Sequence, residues 1–305
     1  MDCPSLDTIQ KILEVHYGFV IQKLMPITEG VMNWNFLGTT AHGQYIIKIY
    51  SYRTVADIQF EIDLLNHLEA KNFPAPHLVP SQNGEKVVKV EVHPLIVYKC
   101  IDGTILRDID TTSIQNVGRL LGTFHSCTKD FVSNYTRDSW DPEDIRLLFN
   151  RRGHELVERQ FPKAQELLSF IQVELSHYHF PSSLPQGIVH QDVKPENILC
   201  KDKKIVALLD FDNSTRGALI FDIMTTAIWT CFENEQFQEE RFKALLTGYQ
   251  LERQLEPIEQ SILILALRWR LLRELFIAPL VTPNHMQIVA ERTEYFKKLY
   301  RNLNT

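Results

Sequence analysis

The chain has 305 residues, of which 44% are hydrophobic, 12 are glycine and 14 are proline, and this composition predicts a globular protein without a long disordered segment. A formal net charge of −6 provides no basic field, so we expect no nucleic-acid partner. The five cysteines are scattered without a Cys-x-x-Cys pair, which favours reduced thiols in the cytoplasm over a disulfide framework or a zinc site.

The first segment of interest is a loop at residues 28–33, which precedes a predicted strand. It contains one glycine, Gly30, and one side-chain amide, Asn33. Backbone N–H groups in such a loop can bind phosphate, and we expect Gly30 and Asn33 to contact the phosphates of a nucleotide. A loop without a ligand is an equally good interpretation, because a single glycine is a weak signal.

Two strands are predicted next, at residues 32–40 and 44–50, with a turn at residues 41–43. Lys48 lies in the second strand, between two isoleucines. A lysine among β-forming residues suits a clamp for nucleotide phosphates. The alternative is an edge-strand lysine that limits sheet pairing.

Residues 54–71 are predicted to form a helix, because apolar residues recur there at helical spacing (Ile58, Ile62, Leu65 and Leu68). Glu61 lies at the boundary of that apolar face and is the candidate carboxylate for holding Lys48. A solvated glutamate is the alternative. Three other acids on the same helix are rivals for the role: Asp57, Asp63 and Glu69.

The apolar run at residues 94–103 ends in a glycine turn and suggests a hinge between two lobes. Backbone groups from Tyr98 to Cys100 are expected to pair with the edge of adenine, although a plain hairpin strand has the same pattern. We therefore predict an N-terminal nucleotide-binding lobe at residues 1–100 and a C-terminal catalytic and substrate-binding lobe at residues 101–305. The second lobe is predicted to be mainly helical, with glycines that permit close helix packing.

Residues 190–197 spell His-Gln-Asp-Val-Lys-Pro-Glu-Asn and precede a predicted hairpin at residues 198–209. The hairpin would bring Asp192, Asn197 and Asp210 together at one end. Phosphoryl transfer from ATP needs a carboxylate to orient the attacking hydroxyl and oxygen ligands to hold Mg²⁺. We expect Asp192 to be the carboxylate that orients the hydroxyl. Asn197 and Asp210 are expected to supply the oxygen ligands of Mg²⁺. Ordinary polar loop residues are the alternative.

This loop and the acid downstream of it resemble motifs of the protein-kinase-like superfamily, and the chain as a whole is similar to its small-molecule branch, the aminoglycoside phosphotransferase and choline kinase-like enzymes. The resemblance implies an α+β, bilobal fold with a small β-rich N-lobe and a larger, mainly helical C-lobe. It also implies ATP and Mg²⁺ as cofactors. His190 and Asp222 are expected to support the loop structurally, Asp222 by hydrogen bonding. The alternative for Asp222, which is compatible with that role, is a helix N-cap or an acid in the first turn of a helix.

The interval from Asp210 to Asp222 is too short for the loop that docks a peptide in protein kinases, so we expect a small hydroxyl substrate and no protein substrate. Residues 29–37 and 248–259 are most similar to the homoserine kinases of this fold, which makes homoserine the expected acceptor. The alternatives are a kinase for an aminoglycoside, a choline-like amine or a sugar, and a nucleotide-binding module without turnover.

The apolar segment at residues 262–281 is interrupted by arginines and one glutamate, so we expect a helix of the second lobe and no membrane span. An arginine at this position, Arg268, Arg270 or Arg273, could bind the carboxylate of an amino acid through two parallel hydrogen bonds. Arg268 and Arg273 are the residues that we predict for substrate binding. Arginines on a solvated helix flank are the alternative.

Overall fold

The structure, a computed structural model, describes residues 3–28, 33–281 and 286–303. The helices are α1 (Leu6–Tyr17), α2 (Val55–Ala70), α3 (Thr111–Cys127), α4 (Pro142–Arg152), α5 (Glu155–Glu158), α6 (Ala164–Leu175), α7 (Leu219–Thr230), α8 (Glu239–Gln250), α9 (Pro257–Gln260), α10 (Leu263–Val281) and α11 (Met286–Asn302), with a 3-10 turn at Pro195–Asn197. The strands are β1 (Lys23–Ile27), β2 (Trp34–Thr40), β3 (Gly43–Ile49), β4 (Val88–Val90), β5 (His93–Lys99), β6 (Thr104–Ile105), β7 (Gln186–Val189), β8 (Ile198–Lys201), β9 (Lys204–Leu208), β10 (Thr215–Ala218), β11 (Phe232–Glu233) and β12 (Gln236–Phe237).

The chain divides into two compact units. The first consists of the described residues up to Thr104, together with Phe131–Arg137 and Leu199–Asp212. The second consists of Ile105–Asp130, Asp138–Ile198 and the described residues from Asn213 onward. Two later segments therefore join the first unit, and one of them carries the candidate metal ligand Asp210.

The first unit is built around a five-stranded antiparallel sheet in the order β1-β2-β3-β5-β4. Alternate residues of a strand face opposite sides. Ile47 and Ile49 of β3 are fully buried in a core that also contains Ile9 and Leu13 of α1. Lys48 therefore points to the other face of the sheet. The two strands predicted around the turn at residues 41–43 are confirmed as β2 and β3.

Helix α2 begins with a reciprocal cap, in which the Thr54 hydroxyl accepts from the Asp57 N–H and the Asp57 carboxylate accepts from the Thr54 N–H. All four predicted apolar positions are buried, which confirms the predicted helix. Glu61 is fully buried as well. The helix therefore carries a carboxylate into the interior of the first unit.

Strands β8 and β9 form the predicted hairpin, and Asp202 and Lys203 at its turn adopt left-handed φ values of 50° and 61°. The Leu208 N–H donates to the Pro74 carbonyl at 2.9 Å, which attaches the hairpin to the first unit. Asp210 lies two residues after the end of β9 and has a φ of 65°. Aspartate tolerates this region better than most residues, and such conformations cluster at functional sites.

The second unit is mainly helical, and glycines bring α3 and α8 into close contact. A Cβ atom at Gly118 would lie 2.1 Å from the Leu245 carbonyl oxygen, and one at Gly248 would lie 1.9 Å from that of Gln115. Larger residues would push the two helices apart. The predicted close packing at Gly118 is therefore confirmed, and so is the α+β class with a β-rich first unit.

Two further features of the second unit position the site. Strand β7 leads into the loop at His190 and pairs antiparallel with β10, with Val189 opposite Thr215. Helix α10 packs against α7 and α11. Among the helices that the structure describes, none is both long and apolar enough to cross a membrane.

Candidate active site

Three carboxylates of the first unit surround the Lys48 ammonium. Its Nζ lies 2.8 Å from Asp210 Oδ1, 3.4 Å from Asp212 Oδ2 and 3.7 Å from Glu61 Oε1. The side chains of Lys48 and Glu61 are 7% and 1% exposed, whereas that of Asp210 is 41% exposed. Two carboxylates thus anchor the lysine inside the unit, and Asp210 reaches solvent.

The charges in this cluster depend on one another. Burial alone would lower the pKa of Lys48, but Asp210, Asp212 and Glu61, with Tyr98, raise it well above its ordinary value. Burial and the charge of Asp210 raise the pKa of Asp212 to about 6, although Lys48 opposes that change. Lys48 is therefore a permanent positive charge at neutral pH, which a phosphate-binding lysine requires.

Glu61 is held by two further side chains. The Tyr98 hydroxyl donates to its Oε1 at 3.0 Å, and Arg137 Nη2 lies 3.7 Å from its Oε2. The other acids of α2 have different partners, which are Thr54 for Asp57, Ser133 for Asp63 and His77 for Glu69. Among the four acids, the structure brings Glu61 to Lys48, and the nucleotide-binding role of the pair stays a prediction.

Two arginines that the sequence analysis did not identify hold the Asp210–Asp212 segment. Arg137 donates to the Asp212 carbonyl at 2.7 Å, and Arg53 donates to the same oxygen at 3.0 Å. Arg137 also donates to the Asp57 carbonyl of α2 at 3.0 Å. No local pattern could have revealed them, because 75 and 159 residues separate the arginines from Asp212 in sequence.

Asn33 contacts the same segment. Its Nδ2 donates to Asp212 Oδ2 at 2.7 Å, so the side chain belongs to the surroundings of Asp212. Gly30, the other residue expected at the phosphates, lies outside the described residues. A phosphate contact by Asn33 stays a prediction.

The segment expected to bind adenine is engaged in the sheet. Tyr98 pairs with Ile46, and the Cys100 N–H donates to the Gln44 carbonyl at 3.0 Å. The Tyr98 hydroxyl binds Glu61. Because the Cys100 N–H is already bonded within the protein, the expectation that it pairs with adenine is wrong. Nucleotide contacts through the remaining groups of Tyr98 and Cys100 stay a prediction.

In the second unit, Asp222 supports the predicted catalytic loop. Its Oδ2 and Oδ1 accept from the backbone N–H groups of His190 and Gln191 at 2.7 and 2.8 Å. His125 Nε2 lies 3.1 Å from Oδ2. Burial would raise the pKa of Asp222, but the hydrogen bond and charge of His125, with the charge of His190, lower it. Ala218 is the N-cap of α7, so the N-cap interpretation is wrong, but Asp222 lies in the first turn of that helix, which confirms the first-turn interpretation beside the supporting role.

The support continues into α8 and the segment that follows it. The Tyr249 hydroxyl lies 2.7 Å from His125 Nδ1 and accepts from Arg253 Nη1 at 3.0 Å. Arg253 in turn pairs with Glu259 at 2.9 Å. The part of the sequence at residues 248–259 that resembles homoserine kinases therefore holds the loop in place. His125 is therefore a structural residue that links Asp222 to Tyr249.

Asp192 is oriented by two donors inside the loop. Lys194 Nζ and Asn197 Nδ2 donate to its Oδ2 at 2.7 and 3.0 Å, and Asn197 Nδ2 also donates to its backbone carbonyl at 2.8 Å. Gln191 precedes it with a φ of 72°. His190 is fully buried, and its Nδ1 accepts from the Asp192 N–H at 3.3 Å, as a supporting residue would. The sequence analysis gave Lys194 no role.

Each unit offers hard oxygen ligands for a divalent cation. Asn197 turns its NH₂ group toward Asp192, which leaves the amide oxygen as the end that can bind a cation. Asp210 contributes a carboxylate that is 41% exposed. No group of three or more His, Cys, Asp or Glu side chains in the described part of the chain could hold a metal ion. The metal-binding role of Asn197 and Asp210 stays a prediction.

The two arginines predicted for substrate binding have different surroundings. Arg268 Nη2 donates to the Tyr300 hydroxyl at 3.2 Å and lies 3.9 Å from Glu174. Arg268 thus links α10 to α11 and α6, which corrects its predicted role. Arg273 is 8% exposed, and its guanidinium carbon lies 5.5 Å from the centroid of the Trp140 ring.

Several known proteins are similar to this chain in sequence or in fold. The model of the phosphotransferase enzyme family matches residues 23–258. A homoserine kinase of Mesorhizobium japonicum is 30% identical over 285 residues, which cover 90% of this chain and 86% of that protein. The solved structure of a microcompartment-associated aminopropanol kinase has a TM-score of 0.74 at 19% identity, over 98% of this chain and 97% of that one. An amicoumacin kinase bound to AMP-PNP and Ca²⁺ has a TM-score of 0.74 at 18% identity, over 98% and 94%. These likenesses confirm the kinase-like fold.

Proposed function

The chain belongs to the phosphotransferase enzyme family, and we propose that it transfers the γ-phosphate of ATP to the side-chain hydroxyl of homoserine. Its family and relatives make it an ATP-dependent kinase that acts on a hydroxyl group. The assignment of homoserine as the acceptor rests on the 30% identity to a homoserine kinase along 90% of this chain. The solved neighbours are below 20% identity and support the fold alone.

We propose that Asp192 orients the hydroxyl group of the acceptor. Lys194 and Asn197 orient its carboxylate, and Asp222 holds the loop, so the geometry is fixed before the substrate binds. Asp192 would take the proton of the hydroxyl as its oxygen bonds to the γ-phosphorus. The bond from that phosphorus to the bridging oxygen breaks, and ADP leaves with the electron pair.

We assign the nucleotide phosphates to Lys48. Glu61 and Asp212 are buried beside it and fix the position of its ammonium group. Lys48 and Asp210 neutralise one another at 2.8 Å. Phosphates and a cation would each offer one of them a new partner of opposite charge, so we expect this ion pair to open when the nucleotide binds.

Mg²⁺ is the cation that we assign to Asn197 and Asp210, whose side chains provide the oxygen ligands that Mg²⁺ prefers. When bound, Mg²⁺ would neutralise charge on the ATP phosphates. We also propose a cytoplasmic location, because the five cysteines are an odd number and are scattered without a Cys-x-x-Cys pair, which fits a reducing compartment.

The test measures ADP release with Mg²⁺ and ATP across a panel of acceptors, namely homoserine, 3-aminopropan-1-ol, choline, a hexose and an aminoglycoside. The proposal predicts the highest kcat/KM for homoserine, with O-phosphohomoserine as the product. A higher value for any other acceptor would transfer the assignment to that compound. ATP binding without turnover of any acceptor would contradict the proposed reaction.

A further inference from the structure

Two arginines of α10 lie side by side in the second unit, because residues three apart share one face of a helix. Arg270 is 1% exposed and Arg273 is 7% exposed. Arg270 Nε donates to Thr225 Oγ1 at 2.9 Å. Both guanidinium groups share Glu274, whose Oε1 lies 3.1 Å from Arg270 Nη2 and 3.5 Å from Arg273 Nη1.

This arrangement leaves buried hydrogen-bond donors unused. Among the residues that the structure describes, Arg270 Nη1 and Arg273 Nε are buried and lack a hydrogen-bond partner. Native proteins rarely keep a charged donor buried and unpaired unless a ligand or a function requires it. The unused N–H groups of the two guanidinium groups would suit a second carboxylate.

The position of Arg273 relates it to the catalytic loop. Its guanidinium carbon lies 5.5 Å from the Trp140 ring centroid. The carbonyl of Ser139, the residue before Trp140, accepts from Gln191 Nε2 at 3.2 Å. Gln191 is the neighbour of Asp192 in the chain. The tryptophan beside Arg273 is therefore attached to the loop that carries the proposed base.

The pKa of Arg270 is affected by charged residues, and one of them belongs to the same loop. Burial lowers the pKa of Arg270, whereas the negative charges of Glu274, Asp222 and Asp192 oppose that change. The negative charge of Asp192 therefore contributes to the electrostatic surroundings of Arg270. Arg268 differs from the pair, since it turns toward Tyr300.

We propose that Arg270 and Arg273, with Trp140 beside them, bind the carboxylate of the acceptor and so select hydroxy amino acids over simple amino alcohols. The inference rests on the proposed function, in which the acceptor presents its hydroxyl to Asp192. A guanidinium group can donate two parallel N–H groups to a carboxylate, which fixes the orientation of the bound acid. Trp140 supplies an aromatic face on which the Arg273 guanidinium packs.

The first experiment compares two acceptors that differ only by the carboxylate, homoserine and 3-aminopropan-1-ol. In Arg273→Gln and Arg270→Gln, the ratio of kcat/KM for homoserine to that for 3-aminopropan-1-ol is expected to fall about 10²-fold, chiefly through the KM of homoserine. Arg268→Gln is the matched control on the same helix and should leave the ratio unchanged. A merely structural role would lower kcat/KM for both acceptors equally.

The second experiment measures binding without turnover. The probe is 2-aminobutyrate, which is homoserine without its hydroxyl group, and the readout is the rise in Tm that it causes. Wild type and Arg268→Gln are expected to gain stability, and Arg273→Gln is not. Because Arg270 is fully buried and bonded to Thr225, its variant can fail to fold, whereas Arg273→Gln loses only the 3.5 Å contact to Glu274 and the packing on Trp140.

The outcomes separate this inference from the proposed function. An unchanged acceptor ratio in Arg273→Gln, with normal homoserine turnover by wild type, would overturn the inference and leave the function intact. Stabilisation by 2-aminobutyrate that depends on Arg273, without homoserine turnover, would support the carboxylate site and overturn the acceptor assignment. If wild type neither phosphorylates homoserine nor gains stability from 2-aminobutyrate, both are overturned.

Discussion

At the scale of single residues, Asp222 shows how a buried charge can support a loop. Its side chain is fully buried, yet its oxygens accept from two backbone N–H groups and lie beside His125. A buried carboxylate is stable only when its lone pairs are satisfied in this way. The conformation of the loop that carries Asp192 therefore depends on a residue that need not touch the substrate.

Asp222→Asn is expected to lower the free energy of unfolding by about 3 kcal/mol at neutral pH, since it leaves His125 without its charged partner. In the folded protein the pKa of Asp222 lies below its ordinary value of 3.8. Its stabilising contribution is therefore complete above that pH and is lost as the pH falls further, through the folded value. Urea unfolding of wild type and variant should show a stability difference that shrinks below pH 3.8.

The control for this prediction is Asp7→Asn, at an exposed acid in the first turn of α1, which should change stability by less than about 1 kcal/mol. A stability difference between wild type and Asp222→Asn that widens on acidification would contradict the assignment.

Lys48 provides the second prediction at this scale. Lys48→Met is expected to lower kcat/KM for ATP about 10²-fold, because a charge-assisted contact with phosphate is lost. The variant also leaves Glu61 and Asp212 buried without their shared cation, so its Tm should fall. Lys89→Met, at an exposed position of β4 in the same sheet, is the control and should retain both properties. Normal ATP kinetics in Lys48→Met would rule out the phosphate role.

At the scale of elements, the contact between α3 and α8 positions two members of the loop support. Helix α3 carries His125, and α8 carries Tyr249, whose side chains lie 2.7 Å apart. Their approach requires glycine at Gly118 and Gly248, where backbone atoms of the opposite helix occupy the space of a side chain. Helix packing and support of the loop are therefore coupled.

Gly248→Ala tests this coupling, because the expected change in stability is opposite in sign to the change that helix propensity predicts. Alanine favours a helix interior by about 1 kcal/mol over glycine, so an unconstrained site would gain stability. Here the new Cβ would lie 1.9 Å from the Gln115 carbonyl oxygen, and we expect a loss of about 2 kcal/mol, with lower activity. Lys243→Ala, at a lysine of α8 that is 75% exposed, is the control. Increased stability in Gly248→Ala would contradict the packing argument.

At the scale of the whole molecule, the sequence predicts local features well. Alternating and helical periodicity identify β3 and α2, and the polar turn identifies the β8–β9 hairpin. Glu61 is predicted as the candidate partner of Lys48, but the burial of both side chains in the structure is what separates it from the three rival acids of α2. The strand, the helix and the hairpin depend on residues close in sequence.

Contacts between distant segments were not predictable from the sequence. Arg53 and Arg137 reach the Asp212 carbonyl across 159 and 75 residues, without a motif at either end. Asn33 and Asp212 are 179 residues apart. Arg268 and Arg273 look alike in an apolar helix, and only the neighbouring segments decide that Arg268 meets Tyr300 while Arg273 meets Trp140.

The central claim is that Asp192 activates a hydroxyl acceptor for phosphoryl transfer, and the most direct measurement is the turnover of Asp192→Ala. With homoserine, Mg²⁺ and ATP, kcat is expected to fall by about 10² to 10⁴ relative to wild type. The Kd of a non-hydrolysable ATP analogue should stay within about twofold, because Asp192 acts on the acceptor. Asp202→Ala, at the exposed turn of the hairpin, should retain normal turnover. Full activity of Asp192→Ala would contradict the account.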